Sequence, residues 1–152
     1  MTEDTPSPTT TVAFVCVQNA GRSQMATVFA ERERERRGAG DRIGILTGGT
    51  RPADHVHDVV LEAMAERDID LGDREPREIT FGEIQGADLV ITMGCSATDV
   101  CPATWDGENR DWDLADPHGR GLEAVRPIRE EIERRVRELF DELEDEAESR
   151  RR

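Results

Sequence analysis

The segment of this chain best equipped for chemistry is Cys16-Val17-Gln18-Asn19-Ala20-Gly21-Arg22-Ser23. A cysteine is followed, after five residues, by an arginine. Mostly small residues between a strand and a helix can aim several backbone N–H groups at one point, and the helix N-terminus adds partial positive charge. Arg22 adds a planar fork that grips two oxygens at once. Together these donors form a pocket for a tetrahedral oxyanion, with Val17 to Ser23 as its wall. The donors that hold an oxyanion also stabilise a thiolate, so Cys16 at the floor reads as a nucleophile. Ser23 is a candidate donor to its sulfur, and Asn19 a candidate brace for the loop. A buried cysteine with a coincidental arginine is the alternative, and the strand before and helix after weigh against it.

Asp116, in Asp116-Pro117-His118, is the second candidate. A leaving oxygen needs a proton, and a carboxylic acid can supply one. Pro117 would stiffen the turn that aims it. Cys95 and Cys101 are the third candidate, in Met93-Gly94-Cys95-Ser96-Ala97-Thr98-Asp99-Val100-Cys101-Pro102. Two thiols near a nucleophilic thiol can deliver electrons by disulfide exchange. A buried structural pair, or a zinc site with His55, His57 and His118, are the competing readings. Three scattered cysteines without C-x2-C spacing disfavour zinc.

The elements that must position these groups follow from the apolar pattern. Thr11 to Val15 is a non-alternating β-branched run, as expected of a strand covered on both faces of a parallel sheet. Helical spacing begins at Ser23, with Met25, Val28 and Phe29, and ends at Gly38. Ile43 to Leu46 reads as a second strand, broken by Gly48-Gly49. Val56, Val59, Val60, Ala63 and Met64 mark a second helix ending near Asp68. Phe81 to Gly86 reads as a short helix, Ala87 to Ile91 as a third strand, and Trp112 to Leu114 as a short fourth one. Leu122, Val125, Ile128, Ile132, Val136, Leu139 and Leu143 form the stripe of a long amphipathic helix. Pro127 is tolerated only near a first turn, so the regular helix is expected to begin there. Met25, Met64 and Met93 read as core fillers, and His55 and His57 as solvated cap residues. This alternation predicts a single α/β domain over residues 11–143, with a disordered arm at 1–10 and a charged, fraying tail at 144–152. Ligands of such sheets bind at the C-terminal strand edge, where Cys16 and Cys95 both fall.

The chain has 152 residues, 34 acidic and 20 basic, for a formal net charge of −14. That balance disfavours nucleic acid and anionic membrane surfaces as partners. No apolar run is long enough to span a membrane. The N-terminus shows no secretory pattern, so a reducing, cytoplasmic location is expected and the odd cysteine count does not read as a disulfide framework. All the basic residues are arginines, with no lysine and no tyrosine. The acidic excess and lean core resemble halophilic proteins, whose self-repulsion is screened by salt.

CVQNAGRSQMA resembles the phosphate-loop signature of the low-molecular-weight protein-tyrosine phosphatases and the related thiol-dependent arsenate reductases. TGGTRPADHVHDVV is similar to that family's segment before the second helix, and DLADPHG to its Asp-Pro loop. The resemblance spans roughly residues 11–140. It implies a four-stranded parallel sheet with helices on both faces, a catalytic loop from Cys16 to Arg22 and Asp116 as general acid. The Cys95 to Cys101 segment resembles the resolving loop of the reductases. The implied reaction is attack of Cys16 on arsenate, displacement by Cys95 and transfer of the disulfide to Cys101. A thioredoxin-like protein or a small thiol would be the reductant, with no metal or organic cofactor. The alternative activity is hydrolysis of phosphate monoesters, phosphotyrosine included, through a phosphocysteine, with Cys95 and Cys101 incidental. A non-catalytic oxyanion-binding module is a third reading.

Two departures stand out. Many family members carry a second cysteine just before the loop arginine, where this chain has Gly21. The tyrosine phosphatases place an aromatic residue after Asp-Pro, where this chain has His118. Trp105 or Trp112 would have to supply an aromatic wall, and both are equally candidates for the core. The resemblance therefore leans toward arsenate or another small inorganic oxyanion.

Overall fold

The apolar run after residue 10 is covered on both faces, as its lack of alternation requires: Val12 to Cys16 are all buried. It forms the central strand of the computed structural model, which describes residues 10–150. The strands are β1 (Thr10–Cys16), β2 (Ile43–Gly49), β3 (Leu89–Met93) and β4 (Glu108–Asp111). All pair in parallel, in the order β2-β1-β3-β4. The helices are α1 (Arg22–Arg36), α2 (Asp58–Ala65), α3 (Phe81–Gln85), α4 (Ala97–Val100) and α5 (Leu122–Arg150). Val12, Phe14 and Cys16 face the larger core, built with α1, α2 and α5. Ala13 and Val15 face a smaller one with Ile84 of α3 and Val100 of α4. The expected four-stranded sheet with helices on both faces is the fold observed.

The chain leaves β1 toward β2 on one side and reaches β3 on the other. The end of β1 is thus the point where strand order reverses, and a crevice opens there. Cys16 is the last residue of β1, in register with Gly49 of β2 and Met93 of β3.

Several boundaries differ from the sequence expectation. β2 is not broken by Gly48-Gly49 but runs through both. A Cβ on Gly48 would lie 2.8 Å from the Cβ of Ile79, and one on Gly49 2.5 Å from the carbonyl oxygen of Val17. These glycines let neighbouring chain approach the strand. The fourth strand is not Trp112 to Leu114 but the polar edge segment Glu108–Asp111. Trp112 lies just beyond it and packs on Phe14, ring centroids 6.0 Å apart. Helix α5 starts ahead of Pro127 rather than at it, because burial of Val125 and Ile128 outweighs the one hydrogen bond that proline cannot give. It continues to Arg150 through most of the segment expected to fray. The expected arm lies outside the described residues except for Thr10, which opens β1.

Helix α2 is anchored to α5 by buried Arg129, which donates to the Ala63 carbonyl and the Glu66 carboxylate, each at 2.7 Å. Arg67 bridges to Glu130 and Glu133. This anchorage holds the C-terminal end of α2; at its start the N-cap residue His57 donates its backbone N–H to the Ala20 carbonyl. Among the described residues no helix is long and apolar enough to cross a membrane.

Candidate active site

The loop between β1 and α1 owes its shape to the chain that follows β2. The carbonyls of Cys16, Val17, Gln18 and Ala20 accept from the backbone N–H groups of Thr50, Arg51, Ala53 and His57, at 2.8–3.2 Å. Each trans peptide directs its N–H away from its C=O. Clamping those carbonyls outward therefore turns the amides of Val17, Gln18, Asn19 and Gly21 toward the loop's interior. The Asn19 amide does so observably, donating to Cys16 Sγ at 3.2 Å. Asn19 adopts φ of 52°, a left-handed conformation that asparagine tolerates better than most residues.

The Asn19 side chain is fully buried and fixed in orientation. Its Oδ1 accepts from the Arg77 backbone N–H at 3.1 Å and from Gln24 Nε2 at 3.1 Å. Its Nδ2 donates to Ser23 Oγ at 2.7 Å and to Thr47 Oγ1 at 3.0 Å. Since Ser23 Oγ already accepts from Asn19, its own proton is free for Cys16 Sγ, 2.8 Å away. The buried sulfur thus faces a hydroxyl and a main-chain amide, the donors a thiolate needs.

Arg22, the first residue of α1, is held on three sides. Its Nη1 donates to the Leu114 carbonyl at 3.0 Å, and its Nη2 lies 3.7 Å from Asp116 Oδ2. Its third support is the backbone of Gly94, at φ of 88°: a Cβ there would lie 2.7–3.0 Å from the guanidinium. Only glycine combines that conformation with that approach. Gly94→Ala is expected to lower stability by about 1–2 kcal/mol and weaken inorganic phosphate binding roughly tenfold or more. Denaturant unfolding and calorimetric titration read the two effects. Unchanged phosphate affinity would mean that Gly94 does not set the arginine's position.

Asp116 is more than half exposed and lines, together with Cys16, an open cavity of about 330 Å³. Its Oδ1 accepts from the His118 backbone N–H at 3.0 Å, which fixes the turn after Pro117. The cavity is lined by Cys16, Gln18, Arg22 and Asp116, and also by Arg51, His57 and His118. The two imidazoles pack with centroids 4.7 Å apart. His57 is therefore more than the solvated cap the sequence suggested. Burial, with His118 beside it, lowers its pKa from the usual histidine value, against the opposing pull of Asp116. Neither tryptophan lines the cavity. Trp112 is in the larger core, and Trp105 donates to the Ala87 carbonyl at 2.8 Å within the smaller one.

A buried thiol in an amide-lined loop, with an arginine and a carboxyl lining the same cavity, suits displacement at a tetrahedral oxyanion. The family model described as low molecular weight phosphotyrosine protein phosphatase matches residues 11–149. The chain belongs to that family. A Halobacterium salinarum protein provisionally named arsenate reductase is 57% identical over 135 residues, covering 89% of this chain and 94% of the relative. A glutaredoxin arsenate reductase of Synechocystis is 33% identical, covering 87% of this chain and 97% of the relative. The solved structure of a thioredoxin-dependent arsenate reductase of Corynebacterium glutamicum is similar with a TM-score of 0.72 and 36% identity. That match covers 91% of this chain and 63% of the other, so the present chain spans just under two thirds of it.

Against the family pattern, the structure gives Gly21 a physical reason. A Cβ there would lie 2.8 Å from Pro117 Cγ, so the missing side chain lets the Asp-Pro turn close down on the loop. Of the two further cysteines, Cys95 comes just after β3, at the sheet edge where β1 ends with Cys16, and Cys101 follows α4; all three thiols are free. Cys95 Sγ lies 3.6 Å from the carbonyl oxygen of Val15, the residue before Cys16. Yet Cys95 and Cys101 both pack against the smaller core, whereas the Cys16 side chain belongs to the larger one. Cys16 and Cys95 share one edge but pack on opposite faces of the sheet, and Cys101 lies on the face of Cys95. The sequence expectations give no role to Thr47, Arg51 or Gly94, and read Gly49 as a strand break and His57 as a solvated cap or a zinc candidate.

Proposed function

We propose that this protein is an arsenate reductase in which Cys16 is the nucleophile, Arg22 the oxyanion clamp, and Cys95 and Cys101 the electron source. The observation that carries this reading is a free thiol at the strand edge near Cys16, Cys95 Sγ at 3.6 Å from the Val15 carbonyl oxygen, with a further free thiol, Cys101, packed against the same smaller core. Ester hydrolysis needs neither thiol. The arsenate reductase names of the similar proteins support the same reading.

The steps balance as follows. The Cys16 thiolate attacks arsenic, an S–As bond forms, and an oxygen leaves as water with a proton from Asp116. The amides of Val17 to Gly21 and the Arg22 guanidinium hold the remaining oxygens. The Cys95 thiolate then attacks Cys16 Sγ. The S–As bond breaks, its electron pair goes to arsenic, arsenite departs, and a Cys16–Cys95 disulfide remains. Cys101 attacks Cys95, returning the Cys16 thiolate and leaving a Cys95–Cys101 disulfide. A dithiol protein of the thioredoxin or glutaredoxin class, or a small thiol, reduces that bond. We assign the reaction to the cytoplasm, where such reductants are maintained.

Phosphate-monoester hydrolysis is the second reading, favoured by the family and by Asp116 lining the same cavity as Cys16. Side-by-side turnover of arsenate with a thioredoxin system and of p-nitrophenyl phosphate, both in high KCl, tests the proposal. Arsenate is expected to give the larger kcat/KM. Ester hydrolysis with no detectable arsenite would reverse the assignment.

A further inference from the structure

Arg51 is out of keeping with the rest of the surface. Among the described arginine side chains it is the one with neither an ion pair nor a hydrogen-bond acceptor. In a chain with 34 acidic residues against 20 basic ones, an arginine without a carboxylate is the exception. This one lines the Cys16 cavity.

The topology says from where it reaches in. Arg51 follows β2, and its backbone N–H is fixed to the Val17 carbonyl at 2.8 Å. The Arg22 guanidinium rests on Gly94, which follows β3. Since β2 and β3 flank β1, the two guanidinium groups come from opposite walls of the crevice. The charge at the site gives Arg51 a task. A bound oxyanion and a thiolate place several negative charges together, and Arg22 is already engaged by Asp116 and the Leu114 carbonyl. His57 is held toward its neutral form by burial and by His118, with His55 adding to that effect and Asp116 and Asp58 opposing it. Arg51 is the permanent cation at the cavity with no anion of its own.

We propose that Arg51 is a second oxyanion-contacting residue, which binds the substrate from the wall opposite Arg22 and sets affinity for the anion. This inference rests on the reading of the Cys16 loop as an oxyanion site. The contact must be direct. In strong salt the Debye length is roughly 3 Å at 1 M, so steering at a distance would vanish while a hydrogen-bonded ion pair persists.

The test uses the whole chain and its Arg51→Gln and Arg51→Lys variants. Inorganic phosphate is the calorimetric probe and arsenate the substrate, each at 0.1 M and 2 M KCl. Arg51 is exposed, so neither substitution disturbs packing. Arg51→Gln is expected to raise the phosphate Kd and the arsenate KM roughly tenfold at both salt concentrations, with kcat much less affected. Arg51→Lys is expected to recover part of the loss. Equal phosphate affinity in Arg51→Gln and the parent overturns the inference and leaves the loop reading intact. A loss confined to 0.1 M KCl also overturns it, in favour of steering. A parent protein that binds no phosphate removes the loop reading and this inference together.

Discussion

Replacing Cys16 by serine is expected to reduce arsenate turnover by roughly 10⁴-fold or more while inorganic phosphate still binds. The size of the loss follows from the chemistry: removing a nucleophile that acts as one unit with its activating groups typically costs most of the rate enhancement. Retention of binding follows from the geometry. The serine oxygen replaces sulfur in a buried site whose neighbours are donors, the Ser23 hydroxyl at 2.8 Å and the Asn19 amide at 3.2 Å. Both can donate to an oxygen. The loop carbonyls stay clamped by Thr50, Arg51, Ala53 and His57, none of which senses residue 16's side-chain chemistry. Steady-state kinetics and calorimetry with phosphate therefore diverge. Turnover within tenfold of the parent would exclude Cys16 as nucleophile. A simultaneous loss of phosphate binding would mean that the sulfur, and not the amides, organises the loop.

That divergence marks where the sequence was readable. Cys16, Asn19, Arg22 and Ser23 lie in one contiguous segment between a strand and a helix, so their types and spacing could be read together, although the loop's shape is set by the chain after β2. The non-alternating run before Cys16 identified a buried central strand, and the stripe from Leu122 to Leu143 identified α5. What escaped depends on contacts distant in sequence. Thr47 matters because its hydroxyl meets Asn19 Nδ2, and Gly49 because Val17 crosses it. Arg51 and His57 gain meaning only when β2 pairs beside β1 and delivers the segment after it to the loop. β4 was misplaced because its residues, Glu108 to Asp111, carry no apolar signal. An edge strand is specified by its backbone pairing to β3, and Trp112 beside it is a core residue of the turn that follows. Glycines read as strand breakers were sites of close approach, a distinction that exists only in three dimensions.

Replacing Cys95 by serine is expected to abolish sustained arsenate reduction, a loss of roughly 10³-fold or more with a thioredoxin system, while p-nitrophenyl phosphate hydrolysis stays within about twofold. Without Cys95, the Cys16–arsenate adduct lacks the thiol proposed to attack it, and Cys101, proposed to act on Cys95, has no disulfide to receive; a phosphocysteine needs only water. The resting position of Cys95 makes the relay step the one most sensitive to conformation and pH. Its thiol is pushed up to about 11, mainly by burial, with Cys16 adding to the effect. The thiolate is the attacking species. At neutral pH almost none exists while Cys95 rests against the smaller core beneath the Val15 carbonyl. The relay as proposed therefore requires a swing of the segment after Gly94 that brings Cys95 from the smaller core to the face that carries Cys16. Gly94, with its left-handed backbone, sits at the base of that swing and also supports Arg22. Disulfide formation in single turnover is accordingly expected to accelerate as pH rises from 7 to 9, because deprotonation of Cys95 becomes less unfavourable. A Cys101→Ser variant should accumulate the Cys16–Cys95 bond, identifiable by mass spectrometry of the non-reduced peptides. Full-rate arsenate reduction by Cys95→Ser with thioredoxin would remove the relay altogether and leave direct attack by an external thiol on the Cys16 adduct. A relay rate independent of pH would instead mean that the swing, and not the ionisation of Cys95, limits the step.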